Sequence, residues 1–172
     1  EIARLGDTFV QALAQTRLGD NQVIVPTLPH LAQDLHKVFN QLPGGDRTVV
    51  LDGAGLTPEA AARERLIAMA CADVALAASG TVSLELAAAR TPMVIAYDMN
   101  WISRQIISRM LLTDTVTLVN LVSDTRVVPE FLGGNCRPDP IAKALEAVLK
   151  APNEQLDAID LTMERLGRGG TA

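Results

Sequence analysis

The residues best suited to chemistry on an anionic ligand lie in the run Ala77-Ala78-Ser79-Gly80-Thr81-Val82-Ser83-Leu84-Glu85-Leu86, where an apolar stretch breaks into Ser-Gly-Thr and then a helical pattern carrying one acid. Glycine lets backbone approach an anion without an intervening Cβ, and the free N–H groups and dipole of a helix start favour negative charge. Glu85 follows Thr81 by four residues, so on a helix the two share a face. A phosphate at Ser79, Gly80 and Thr81 then places a sugar within reach of the Glu85 carboxylate, and a nucleoside diphosphate suits such a seat. The same Ser-Gly-Thr also serves ordinary turn and N-cap chemistry. Glu85 is harder to explain that way, because a carboxylate among Leu84, Leu86, Ala87, Ala88 and Ala89 is costly unless solvent or a ligand meets it.

Other candidates carry weaker signals. His30 and His36 stand six apart and do not share a helix face, so they read as surface or helix-start residues, although His30 lies in a loop after a strand. Asp52-Gly53-Ala54-Gly55 reads equally as a plain turn or as backbone wrapped around a base edge. Arg126 has the fork geometry of a phosphate clamp, but a lone loop arginine is ordinarily solvated. Trp101, Ile102, Ile106 and Ile107 make one face of an amphipathic helix, read as core, with an acyl-chain or membrane-surface contact as the minority reading. Cys71 and Cys136 lack a CxxC or a paired histidine and read as reduced small hydrophobes.

Short β-branched runs alternate with longer helical patterns, and these must position the site. Helices are expected over Ile2–Arg17, Leu31–Leu42, Pro58–Cys71, Thr81–Ala89, Trp101–Leu112, Pro140–Lys150 and Asn153–Leu166. Strands are expected over Gln22–Val25, Thr48–Leu51, Val74–Ala78, Met93–Tyr97 and Val116–Leu118. The stretch from Asn120 to Asp139 reads as one long irregular connection, with Glu130 starting a short turn at Phe131-Leu132. This alternation is that of an α/β, Rossmann-like three-layer domain with a mostly parallel sheet and right-handed crossovers. In such a sheet ligands sit outside the carboxyl ends of the strands. That edge gathers residues 26–29, 52–56, 79–81 with Glu85, 97–100, and Asn120.

With 172 residues the chain is long enough for one well-buried domain, and the whole of 1–172 is read as one, with 153–172 as a candidate crossover tail. Its start within a helical pattern and the lack of an initiator Met read as a piece of a longer protein. Fifteen Lys and Arg against 20 Asp and Glu, without a basic run, leave no nucleic-acid footprint. Aromatics form only 3% of residues, too few for a base-stacking platform. No window reaches the ~18–20 apolar residues of a membrane-spanning helix.

From Ala78 onward the chain resembles the lipid-A-disaccharide synthases, glycosyltransferases of the two-domain GT-B architecture. The resemblance rests on Ala78-Ser79-Gly80-Thr81 with Leu84-Glu85, on Thr91-Pro92-Met93-Val94-Ile95-Ala96-Tyr97, and on Val116-Thr117-Leu118-Val119-Asn120-Leu121-Val122. It closes with Val127-Val128-Pro129-Glu130-Phe131-Leu132. Ser-Gly-Thr with Leu-Glu is shared widely among nucleotide-sugar enzymes; the Asn120 segment with Val128-Pro129-Glu130-Phe131 is the particular part. Glu1-Ile2-Ala3-Arg4-Leu5 also resembles the segment that follows a Gly-Ser-Arg loop in the family.

The resemblance implies one half of a GT-B enzyme that moves 2,3-diacylglucosamine from its UDP ester onto 2,3-diacylglucosamine 1-phosphate and releases UDP. It implies inversion at the anomeric carbon with no metal or other cofactor. The place of action would be lipid A biosynthesis in a Gram-negative bacterium, peripheral to the cytoplasmic face of the inner membrane. Ser79, Gly80 and Thr81 would hold the diphosphate, Glu85 the ribose, and Asn120 would stand near the reacting sugar as a catalytic residue. The general base would come from an N-terminal domain outside this chain, so the piece alone would bind UDP and catalyse nothing. Two departures stand out: Val119 where the family often has Pro, and Asp98 where it often has a basic residue. Alternative readings are another UDP-N-acetylglucosamine enzyme of this architecture, a 2-epimerase or a peptidoglycan glycosyltransferase, or a non-catalytic nucleotide-binding module.

Overall fold

The computed structural model of the chain describes residues 2–17, 22–42, 48–78, 80–97 and 114–167. The expected helix over Trp101–Leu112 and the departure at Asp98 lie outside them, as does Ser79. Five strands are described: β1 Val23–Pro26, β2 Thr48–Leu51, β3 Ala75–Ala77, β4 Met93–Tyr97 and β5 Glu130–Leu132. They form two parallel sheets, β1-β2 and β3-β4-β5. Seven helices surround them: α1 Ile2–Gln15, α2 Ala32–Phe39, α3 Pro58–Ala70, α4 Val82–Ala88, α5 Leu118–Ser123, α6 Pro138–Lys150 and α7 Asn153–Arg165.

Local chemistry sets several boundaries. Thr57 caps α3 by accepting the Ala60 N–H at 3.2 Å, and Pro58 fills the first helical position, where a missing N–H costs nothing. Pro29 opens a 3-10 turn, Pro29–Leu31, so the regular part of α2 starts only at Ala32. Thr16 turns its hydroxyl back onto the Ala12 carbonyl at 2.8 Å as α1 ends.

β4 separates the two sides of the larger sheet. Met93, Val94, Ile95 and Ala96 are each 0% exposed. Alternation sends Met93 and Ile95 to a core with Met69 of α3, Leu86 of α4, Val119 of α5 and Ile159 of α7. Val94 and Ala96 face Ala12 of α1 and Ile141, Leu145 and Val148 of α6. A strand apolar on both faces is what a parallel sheet covered by helices requires, and the layers are those the sequence predicts.

The sequence misplaces one strand. Val116–Leu118 is no strand: residues 115–117 lead into α5, and the strand paired with β4 is Glu130–Leu132, where a turn was expected. The reason is a carboxylate. Glu130 accepts the Val116 N–H at 3.1 Å and the Thr117 N–H at 2.9 Å, so these amides are satisfied by a side chain. The connection read as irregular thus holds α5, β5 and a 3-10 turn at Gly133–Asn135.

The start of the expected crossover tail, α7, is docked here through buried Ala158, Ile159 and Thr162. Its Gln155 stands in for a strand. β5 begins its pairing at Ile95, leaving Met93 beyond its reach; Gln155 accepts the Met93 N–H at 2.8 Å and donates to the Met93 carbonyl at 3.0 Å. Arg90, in the left-handed region at φ 59°, holds Asp160 of the same helix through Nε at 3.0 Å and a second nitrogen at 2.9 Å. Replacing Gln155 by Ala orphans both Met93 backbone groups, each costing about 1–3 kcal/mol when buried and unpaired. Urea unfolding should show a loss of that order, whereas Gln41→Ala on the exposed surface should leave the midpoint unchanged.

Candidate functional site

Gly80 adopts φ +145°, a region that side chains rarely enter, and a Cβ built on it would meet nothing within 4 Å. The turn therefore presents bare backbone at the start of α4. Thr81 makes no side-chain cap, while the Ser83 hydroxyl turns back to the Gly80 carbonyl at 3.0 Å. The Glu85 N–H bonds to the Thr81 carbonyl at 3.3 Å, so the two are one helical turn apart as the spacing predicts.

Glu85 is not alone. Its Oε2 lies 3.5 Å from Nε of Arg65 on α3, and the two side chains are 39% and 43% exposed. That Arg65 Nε is buried and makes no hydrogen bond. No local signal in the sequence marks this partner: Arg65 sits in an Arg-Glu-Arg run on another helix, twenty positions away.

Arg65 also lines a cavity of about 250 Å³ at the carboxyl ends of β1 and β2. Thr27, Leu28, Leu51, Asp52, Gly53 and Glu64 are among its other walls. Such a volume falls under the roughly 300–1,000 Å³ of pockets for whole drug-sized ligands, so its size is that of one moiety of a larger molecule. Asp52 accepts the Ala54 N–H at 2.9 Å, which closes the Asp-Gly-Ala turn. Gly53 has φ +67°, and a Cβ there would stand 2.8 Å from the Ala61 Cβ, so the turn approaches α3 as only glycine permits.

Asn120 lies away from solvent, 1% exposed, at the centre of a polar cluster. Its Nδ2 donates to the Val128 carbonyl at 2.9 Å, to Glu130 at 3.1 Å and to Thr115 Oγ1 at 3.3 Å, and its Oδ1 accepts the Val128 N–H at 3.0 Å. The Thr115 hydroxyl donates to Glu130 as well. Asn120 thus ties α5 to the segment entering β5, and its amide is spent on protein partners. Burial pushes the Glu130 carboxyl up, but the Thr115 hydroxyl and the Val116 and Thr117 N–H groups outweigh it and hold the carboxyl below the usual carboxylate range.

Arg65 links the two parts of the site: it lines the cavity beside the Asp52-Gly53 turn that follows β2, and it meets Glu85 on α4, which follows β3 and the Gly80-Thr81 turn. Arg126 is engaged elsewhere, with Nε 3.0 Å from Asp114. His30 and His36 are exposed, on the 3-10 turn and on α2. Among the described residues no group of three or more His, Cys, Asp or Glu is placed to hold a metal ion, and no helix is long and apolar enough to cross a membrane.

Comparison with known proteins gives a match to the family model described as lipid-A-disaccharide synthetase over residues 1–167. A lipid-A-disaccharide synthase of Ruegeria pomeroyi is 53% identical over 99% of this chain and 43% of its own length. Proteins of that name from Rhodospirillum centenum and Paramagnetospirillum magneticum are 36% and 38% identical, over 90% and 98% of this chain and 37% and 41% of their own. The chain spans about two fifths of the length of these relatives.

The lowered Glu130 carboxyl makes stability depend on acid. Its contribution is complete above the unfolded-state value, about 4.3, and is lost as pH falls through the lower folded value. Urea unfolding between pH 5 and 3 should show stability falling in the native chain. Glu130→Gln should be weaker at pH 7 and lose less on acidification; an equal acid slope in both would contradict the assignment.

Proposed function

The chain belongs to the lipid-A-disaccharide synthetase family, and from that premise we propose that it supplies the nucleotide-sugar site of an enzyme that transfers 2,3-diacylglucosamine from its UDP ester to 2,3-diacylglucosamine 1-phosphate. The observation that carries this reading is that Arg65, a wall of the 250 Å³ cavity, also meets Glu85, so the acid stands one side chain away from the cavity. The cavity takes the nucleoside, with backbone of the Asp52-Gly53 turn against the base. The Glu85 carboxylate accepts from the ribose hydroxyls, and the backbone at Gly80 and Thr81 faces the diphosphate, with Ser79, outside the described residues, assigned to the same seat from the sequence.

In the reaction an acceptor hydroxyl attacks the anomeric carbon, the bond from that carbon to the diphosphate oxygen breaks, and UDP departs with the bonding pair. A base contributed from outside this chain takes the hydroxyl proton. Charge grows on the leaving diphosphate, so donors fixed before the reaction lower the barrier without reorganising. N–H dipoles at the Gly80 turn fill that role in this reading, with no metal or other cofactor. Asn120 acts by holding the α5–β5 segment rather than by touching the sugar. Both substrates are acylated, so the whole enzyme works peripherally at the cytoplasmic face of the inner membrane.

Calorimetric titration of the full-length protein with UDP tests the donor site. UDP should bind saturably and ADP poorly, and Glu85→Ala should weaken UDP by about 1–3 kcal/mol, the cost of a lost hydrogen bond to a charged group. Equal affinity for the two nucleotides, untouched by the substitution, would sink the proposal. Turnover of the full-length enzyme should also be unchanged by EDTA; loss restored by a divalent cation would overturn the metal-free reading.

A further inference from the structure

Arg65 is the side chain of the site that its present contacts explain least. It meets Glu85 Oε2 at 3.5 Å from Nε, and that buried Nε makes no hydrogen bond. Two other arginines show what a settled guanidinium does in this protein. Arg90 grips Asp160 through Nε at 3.0 Å and a terminal nitrogen at 2.9 Å, and Arg126 holds Asp114 through Nε and a terminal nitrogen. Both are forked pairs, the geometry in which guanidinium and carboxylate match best. Arg65 makes no such fork among the described residues, although its side chain is 43% exposed and Glu85 stands beside it.

Its place in the fold aims it at the ligand edge. α3 follows β2 and α4 follows β3, so both helices start at the carboxyl ends of their strands. Long side chains on a helix lean toward its N-terminus. Arg65 does so here, because it shares the cavity wall with Pro58, Ala61 and Glu64 from the first part of α3. Glu85, which it reaches, is one turn from Thr81 and the bare backbone of Gly80. Charge points the same way. The described walls of the cavity carry Asp52 and Glu64 as acids and Arg65 as their single base, and Glu85 adds a third acid beside them. A ligand bearing several negative charges meets repulsion from all three acids, and among these side chains only Arg65 attracts it.

We propose that Arg65 binds the diphosphate of the nucleotide: its guanidinium rests against Glu85 in the free protein and turns to the diphosphate oxygens in the complex, leaving Glu85 to the ribose. This rests on the nucleotide-sugar reading above and adds to it a residue that touches the ligand. A partly exposed ion pair is weak, so the exchange needs no large rearrangement. A guanidinium pairs with phosphate oxygens through two parallel N–H donors, a geometry it lacks with Glu85. As the bond to the anomeric carbon breaks and charge grows on the diphosphate, the same contact strengthens, which favours the transition state over the bound substrate.

Equilibrium titration of the full-length protein with uridine and with UDP tests this. Arg65→Gln should weaken UDP by about 10- to 100-fold, as loss of a hydrogen bond to a charged group does, and leave uridine unchanged. Arg65→Lys, which keeps the charge without the fork, should fall between the native protein and Arg65→Gln for UDP. Equal weakening of uridine and UDP by Arg65→Gln would mean that Arg65 acts only by orienting Glu85. UDP affinity untouched by that substitution would mean that Arg65 does not meet the ligand. Either result overturns the proposal and leaves the donor site standing. Glu85→Ala reports on the donor site itself and should weaken uridine; an unchanged uridine affinity there would overturn the ribose contact and the exchange with it.

Discussion

The architecture depends on burying β4 completely. Four consecutive side chains without exposure mean that every β4 amide and carbonyl must be answered inside the protein. β3 answers one side. β5 answers the other only from Ile95 onward, and the Gln155 amide extends that side to Met93. α7 is therefore part of the sheet's hydrogen bonding as well as of its cover. The strand end that this arrangement fixes is the edge where the Gly80 turn stands.

What was legible in the sequence was local. β4 was read to the residue, since five apolar positions between Thr91-Pro92 and a polar stretch admit little else. The Thr57-Pro58 start of α3 carried its own cap. What escaped depended on contacts distant in sequence. Val116-Thr117-Leu118 has the composition of a strand, but its amides are claimed by a carboxylate thirteen and fourteen positions away, and no periodicity records that. The Arg65 partner of Glu85 was hidden for the same reason. At Gly53 a turn was legible, but its approach to Ala61 depends on where α3 lies.

The Glu85–Arg65 pair bears on how such a site opens to a ligand. A fully buried ion pair would have to be broken at a cost of several kcal/mol before the carboxylate met anything else. Exposed pairs contribute about 0–1 kcal/mol, and this one is partly exposed with a 3.5 Å separation. Giving up the Arg65 contact for the sugar hydroxyl of the proposed reading is thus close to neutral for Glu85. The pair orients the acid in the free protein without competing strongly for it.

The constellation is divided between the sheets. Asp52 and Gly53 follow β2, whereas Gly80, Thr81 and Glu85 follow β3, and among the described residues the two sheets share no ladder. Their separation is set by α1 on one face and by α3, which touches both sides, on the other. Side-chain packing alone is a softer constraint than a continuous hydrogen-bonded sheet, whose strand spacing is fixed to a few tenths of an ångström. In the proposed reading a nucleoside lies at one sheet and its diphosphate at the other, so the geometry of recognition depends on how α1 and α3 hold the two sheets as much as on the residues that touch the ligand.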